Sequence, residues 1–360
     1  MQHELYDSVD EMLAPETLSE LAGQSISSVR CAPFEHNGLA GSELLAVETD
    51  EGQGPRYVLK RASLERDYLM RASGDRRCRS VTLWQHGLLD RLSPNIDHAI
   101  VACATDGPGW GILMRDVSKA LFSRERSPDA AETERILDAM AAQHAAFWEA
   151  PELVDPALGL CSLQQLFRPY LPASVRKEPE PQSPPSWLIK AIKEGWELLP
   201  TLAEPDVSDI LGRLAADPRP LCDALLRYPC TLVHGDPRSA NLGVSDSVQR
   251  RVILLDWQGA TYAPPGIDPA WYLCFGPLLP VEWEPAIVTY KRSLARRLGD
   301  RFDERWWQPQ LELSLLGNAL RTMCFACFFI THVEDEERCA RWVAVLSWQT
   351  AQVRKGVRWL

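Results

Sequence analysis

Short apolar stretches separated by glycine-containing turns fill the first third of the chain, and longer runs with helical spacing fill most of the rest. Ile26–Pro33, Ser42–Thr49 and Arg56–Arg61 are rich in β-forming residues, with the turns His36–Gly41 and Asp50–Gly54 between them. Val81, Leu83, Trp84, Leu88 and Leu92 predict a helix over Ser80–Leu92, interrupted at Gly87. Ile96–Ala104 and Trp110–Arg115 predict a hairpin across Asp106-Gly107-Pro108-Gly109.

Beyond Val117 the pattern changes. Ser127-Pro128 offers a capping hydroxyl and then a proline at the first helical position. Ile136, Leu137, Met140, His144, Phe147 and Trp148 follow on one helical face. The proline-rich stretch 176–186 predicts an exposed loop, with helices over Trp187–Leu199 and Val207–Leu226 after it. Cys230–His234 and Val252–Trp257 read as a strand pair, and the chain from Glu284 onward as mainly helical. There is no internal repeat. The layout predicts an α+β chain with a small β-rich part, residues 1–117, and a larger, mainly helical part, residues 118–360.

Composition narrows the function classes. With 46% hydrophobic and 24% charged residues over 360 positions, the chain has the make-up of a globular enzyme. A net charge of −11 lacks the basic footprint of a nucleic-acid binder and is compatible with a cationic or neutral small substrate. The longest apolar run, Met323–Ile330, is too short to predict a membrane span, and the acidic start lacks the layout of a signal peptide. A cytoplasmic protein is expected. The ten cysteines have no regular spacing and read as buried thiols; Cys324 and Cys327 form a lone CxxC in an apolar stretch, which predicts core packing.

The chemistry concentrates in Thr231–Gly243. An apolar strand delivers His234-Gly235-Asp236, Asn241 lies five residues past the aspartate, and a second apolar strand ends in Asp256. Phosphoryl transfer from a nucleoside triphosphate needs few protein groups: a carboxylate at the acceptor hydroxyl, oxygen ligands for Mg²⁺, and positive charge at the phosphates. Asp236 suits the first role, and Asn241 and Asp256 the second.

At these residues the sequence resembles the aminoglycoside phosphotransferase family and its choline-kinase-like relatives. His234-Gly-Asp-Pro-Arg-Ser-Ala-Asn241 resembles that family's catalytic loop, and Leu254-Leu-Asp-Trp257 its metal motif. Gly266-Ile-Asp-Pro-Ala270 and Met140–Trp148 resemble two further family segments. The resemblance implies a bilobal protein-kinase-like fold, ATP or GTP with Mg²⁺ as cofactors, and a small-molecule hydroxyl acceptor. By the same resemblance Asp268 braces the catalytic loop and His144 is a packing residue.

A kinase also needs a lysine in its small lobe. Tyr57-Val58-Leu59-Lys60 makes Lys60 the expected phosphate ligand, with Arg61 the competitor. The turn containing Gly38, Gly41 and Ser42 lies where a phosphate-covering loop belongs, although a plain hairpin has the same pattern. It is no Walker-type loop, and that motif occurs nowhere else in the chain. The lobe connection is expected to follow the last strand of the small part, and Ile112–Val117 resembles the linker of related kinases, with adenine bonding to the backbone of Arg115 and Val117. Arg238 reads either as a stabiliser of the transferring group or as a structural salt bridge.

One expected part is missing: the helix over Ser80–Leu92 has no glutamate in its first two turns to pair with Lys60. Glu65 and Asp67 precede it. That gap is the one feature pointing to a nucleotide-binding pseudokinase. The acceptor is left open between an antibiotic or related natural product and a sugar, choline-like or amino alcohol. An acidic acceptor site favours aminoglycosides, and an aromatic one favours nucleoside or polyketide compounds; Glu312, Asp335, Glu336 and Glu337 are the acids within reach in sequence.

Overall fold

The computed structural model describes residues 2–34, 41–123, 126–176, 186–246, 248–275 and 282–360. Two short helices, α1 (Val9–Met12) and α2 (Pro15–Ala22), precede strands β1 (Val29–Pro33), β2 (Glu43–Thr49) and β3 (Arg56–Ala62). Helices α3 (Tyr68–Ser73) and α4 (Arg79–Gln85) follow, and then β4 (Ile96–Asp97), β5 (Ile100–Asp106) and β6 (Gly109–Arg115). Five strands form an antiparallel sheet in the order β1-β2-β3-β6-β5. Met12, Leu18, Val47, Leu59 and Leu113 pack α1 and α2 against one face of it.

The helical part begins with α5 (Ala130–Ala146) and continues through α6 (Leu163–Phe167), α7 (Pro172–Val175), α8 (Ser186–Leu202), α9 (Pro205–Ala216) and α10 (Arg219–Leu225). Strands β7 (Thr231–Val233), β8 (Leu242–Val244), β9 (Val252–Leu254) and β10 (Thr261–Ala263) lie next, followed by α11 (Ile267–Phe275), α12 (Trp283–Leu298), α13 (Glu304–His332) and α14 (Glu336–Gly356). Leu313, Leu316, Leu320 and Met323 of α13 belong to one core with residues of α6, α9 and α10. By length and composition α13 could cross a membrane, yet 89% of its most apolar window is buried in this protein. It is a core helix here.

Several predicted elements change shape. The helix expected over Ser80–Leu92 stops at Gln85, because Gly87 adopts φ +65° and turns the chain. Asp129, rather than Ser127, caps α5, through a reciprocal capping box with Glu132. The helix expected over Val207–Leu226 breaks into α9 and α10 around Asp217-Pro218, since proline cannot continue a helix. Ile96–Ala104 is two strands: Ala99 at φ +57° breaks it, and β4 leaves the five-stranded sheet to pair in parallel with β9. The loop expected over 176–186 falls largely outside the described residues. Cys324 and Cys327 are buried in α13, and burial pushes the Cys327 thiol up to about 12.

Among the contacts that join the first part of the chain to the helical part, two brace the segments around the site. The Phe122 N–H donates to Leu242 at 2.8 Å, tying the connection after β6 to β8. Arg79, 3% exposed at the start of α4, donates from Nε to the Gly159 carbonyl at 2.7 Å and from Nη1 to the Gln258 carbonyl at 2.5 Å. That strut holds the segment following Asp256.

Candidate active site

A short strand, a loop and a second short strand build the floor of the site. β7 ends at Val233, where Gly235 turns the chain at φ +82°; a side chain there would lie 2.3 Å from the Gly259 carbonyl, so only glycine is accommodated. Asp268, at the start of α11, accepts the His234 N–H at 2.8 Å and the Gly235 N–H at 2.7 Å. His144 Nε2 contacts the same carboxylate at 3.1 Å, and its Nδ1 meets the Tyr290 hydroxyl at 2.5 Å. Burial opposes ionisation of Asp268, but its hydrogen bond with His144 and the nearby histidines leave its pKa lowered.

His234 Nε2 lies 2.9 Å from the Leu255 carbonyl and so joins the loop to the strand that carries Asp256. Burial holds the His234 pKa below its usual value, against the pull of Asp268, Asp236 and Asp256. Asp256 adopts φ +65°, an uncommon backbone for a residue with a side chain.

Asp236 is held on both oxygens. Its Oδ1 accepts from Trp271 Nε1 at 2.7 Å, and its Oδ2 from Asn241 Nδ2 at 2.9 Å and Arg238 Nε at 3.2 Å. Lys60 Nζ donates to Asp256 Oδ1 at 2.9 Å. Burial alone would lower the Lys60 pKa, yet the charges of Asp256 and Asp67 leave it raised. Burial likewise opposes ionisation of Asp256, and the Lys60 charge and hydrogen bond reverse it, so its pKa is lowered.

Asp67 fills the gap left in the sequence. It is fully buried, caps α3 by accepting the Met70 N–H at 2.9 Å, and accepts from Ser42 Oγ at 2.9 Å. Burial raises its pKa, and the Lys60 charge opposes that rise. The acid beside Lys60 therefore comes from the turn before a helix and not from a helix interior, which is why helical spacing does not reveal it.

These groups open onto one cavity of about 360 Å³. Gly41, Ser42, Lys60, Asp236, Arg238, Asn241 and Asp256 all line it. Its slot toward the sheet is apolar, with Leu44, Ile112, Met114, Leu121 and Phe122. Its other end is walled by Tyr170, Trp187, Leu188, Trp271, Phe275 and Phe325. Arg115 and Val117 do not line it. The Arg115 N–H donates to Ala99 at 2.9 Å and its guanidinium pairs with Asp97, so Met114 and Ser118 are the lining residues at the connection. Arg61 turns away to a two-pronged pair with Asp106 at 2.7 Å, and Lys60 is the cation of this strand that lines the cavity. Gly38 lies outside the described residues.

The acids considered for an acceptor site do not reach the cavity. Glu312 is buried against Gln308, Arg358 and Trp359, and Asp335 caps α14, with Glu336 and Glu337 in the exposed first turn. Among the described residues no cluster of three or more His, Cys, Asp or Glu offers a ready-made metal site.

A family model described as the phosphotransferase enzyme family, APH, matches residues 38–306. The chain belongs to this family. No curated protein sequence matches this phosphotransferase. Its fold is similar to that of a microcompartment-associated aminopropanol kinase, with a TM-score of 0.52 and 13% identity over 98% of this chain and 100% of that one. Choline kinase LicA from Streptococcus pneumoniae gives 0.51 at 14% identity, over 95% and 98% of the two chains. Aminoglycoside 2'-phosphotransferase-IIIa, solved as a GDP complex, gives 0.51 at 14% identity over 91% and 93%. At such identities the likeness establishes the fold, which is protein-kinase-like. The protein is a small-molecule phosphotransferase of the kinase-like type that acts on a hydroxyl acceptor.

Proposed function

We propose that this phosphotransferase moves the γ-phosphoryl group of ATP to a hydroxyl of an antibiotic or related natural product, with Asp236 as the base. The observation that carries the reading is the convergence of Asp236, Asn241, Asp256 and Lys60 on one cavity with an apolar slot at one end and an aromatic wall at the other. The apolar lining toward the sheet suits a purine ring, and the phosphates would then reach Lys60, Gly41 and Ser42. GTP has the same phosphates and differs only at the base. The residues fall into a lobe of 1–117 over the nucleotide and a lobe of 118–360 that carries the loop and the acceptor wall.

Asn241 and Asp256 suit Mg²⁺. With the Asn241 amide nitrogen committed to the Asp236 carboxylate and carbonyl, its oxygen is the atom left for a cation, and Asp256 adds a carboxylate. Two oxygen ligands match the way Mg²⁺ is held, with waters and phosphates completing the set. When bound, the ion would neutralise charge on the phosphates. Lys60, which feels the charges of both Asp256 and Asp67, would then have the phosphates as a further partner.

Arg238 pairs with Asp236 at 3.2 Å and lines the cavity, so it is placed to donate to a phosphoryl oxygen as well as to hold the base. Ten unpaired cysteines and a need for ATP fit a cytoplasmic enzyme.

The aromatic wall supports a natural product with an apolar or planar face over a polycationic aminoglycoside, since no acid beyond Asp236 and Asp256 lines the described cavity. The test is a panel of nucleoside, polyketide, aminoglycoside and amino-alcohol acceptors incubated with Mg²⁺ and ATP, with phosphorylated product read by mass spectrometry. The proposal expects phosphate on a hydroxyl of a nucleoside or polyketide compound. Phosphorylation of amino alcohols alone would replace it with a metabolic kinase, and nucleotide binding without any product would replace it with a regulator.

A further inference from the structure

The aromatic end of the cavity conceals a charge. Arg321, on α13, is 2% exposed, and its guanidinium carbon lies 3.6 Å from the ring centroid of Trp271 and 4.9 Å from that of Tyr170. It donates to the Gly235 carbonyl at 2.9 Å, and its Nε has no partner. Among the described residues no carboxylate lies within ion-pair distance of it. A guanidinium stays charged at any pH a protein experiences. A buried, unpaired positive charge therefore sits directly behind two rings that line the acceptor end.

That end has no acid to spare for a cation. Asp236 is paired with Arg238, and Asp256 is paired with Lys60. Aromatic faces would be the other means of holding a cation. Trp271 has its faces taken by Arg321 and by Phe275, stacked at 4.7 Å and 25°, a pair of contacts that needs opposite sides of the ring. Phe275 in turn receives Phe325 edge-on at 5.3 Å.

The base itself indicates where the acceptor enters. Each carboxylate oxygen has about two acceptor sites. Oδ2 of Asp236 already accepts two donors, whereas Oδ1 accepts only the Trp271 indole. An acceptor hydroxyl is thus directed to Oδ1, beside the Trp271 ring and in the field of Arg321.

We propose that the acceptor end selects against cations, that its ligand is a neutral or anionic hydroxyl compound with an apolar or aromatic face, and that Arg321 is the residue setting this preference. The inference rests on reading this cavity as the phosphotransfer site. A cation against Tyr170 would face Arg321 across that one ring, and a cation against Phe275 would face it across Phe275 and Trp271, with little bulk water between to screen the repulsion.

The experiment uses three probes of similar size: 2-naphthaleneethanol, 2-naphthalenesulfonate and (2-naphthylmethyl)trimethylammonium. Each is titrated by calorimetry into full-length protein saturated with Mg²⁺ and a non-hydrolysable ATP analogue, so that the nucleotide end is blocked. The cationic probe is expected to bind at least about tenfold more weakly than the neutral one. Arg321→Lys should keep that discrimination, and Arg321→Met should reduce it to within about threefold. A cationic probe that binds wild type as tightly as the neutral one overturns the inference, and so does the absence of binding by any probe. The wild-type ranking decides the matter even where Arg321→Met fails to fold. Failure of the ATP analogue to bind strikes the proposed function, and this inference with it; a bound analogue with the wrong ranking strikes the inference alone.

Discussion

Lys60 Nζ donates to Asp256 Oδ1 at 2.9 Å, so two residues 196 positions apart neutralise each other across the cavity. The pair holds the phosphate-facing strand against the strand proposed to carry the metal. It also gives two partly buried charges a partner.

Lys60→Met removes the cation from both partnerships. Catalytic efficiency toward ATP should fall on the order of a hundredfold, as when one transition-state donor is lost. With Asp256 left unpaired at 22% side-chain exposure, stability at neutral pH should also fall, by about 2 kcal/mol. Asp256 has a lowered folded pKa, so its contribution is complete above the unfolded value of about 4 and is lost as pH falls through the folded value. Urea unfolding of both proteins across pH 3–7 checks the sign: the gap between them should be widest at neutral pH and narrow toward the acid end.

Trp271→Phe keeps an aromatic ring but deletes the N–H that holds Asp236 Oδ1 at 2.7 Å. A hydrogen bond to a charged group contributes about 1.5–3 kcal/mol, so kcat should fall about tenfold or more. The KM for ATP should be unchanged, because the slot proposed for the nucleotide is lined by residues of the sheet and the connection after it, away from Trp271. Steady-state kinetics with ATP varied at fixed acceptor separates the two effects.

Asp268→Ala should act on the fold before the chemistry. It leaves the buried His234 and Gly235 N–H groups and His144 without their shared acceptor. The expected loss is about 3–5 kcal/mol, visible as a lower urea midpoint with nucleotide absent.

The site was legible wherever its residues are close in sequence. His234, Gly235, Asp236 and Asn241 share one loop, and Asp256 follows the next apolar strand at its end, so spacing alone marks them. Asp67 was harder to assign, because a capping position before a short helix has no helical periodicity to reveal it. Trp271 and Arg321 were not singled out, although both left signals. Trp271 lies three residues past Asp268, on the same face of α11, and Arg321 is the one charged residue between Leu313 and Ile330. A lone arginine in such a stretch of core helix needs a reason to be buried, and the reason lies 86 residues earlier, at Gly235.

The fold was legible in outline and misread at its joints. The β-rich beginning and the helical remainder follow from hydrophobic spacing. The departure of β4 to pair with β9 does not, since it turns on Ala99 in a left-handed conformation that alanine does not advertise. Strands β8 and β10, three residues each, are too short to show alternation.

Acceptor-dependent ADP release from Mg²⁺-ATP, compared between wild type and Asp236→Asn, tests the central claim most directly. The account predicts stimulation of wild type by at least one hydroxyl compound and a fall on the order of a thousandfold in Asp236→Asn, with ATP binding retained. An Asp236→Asn protein that releases ADP as fast as wild type would contradict it.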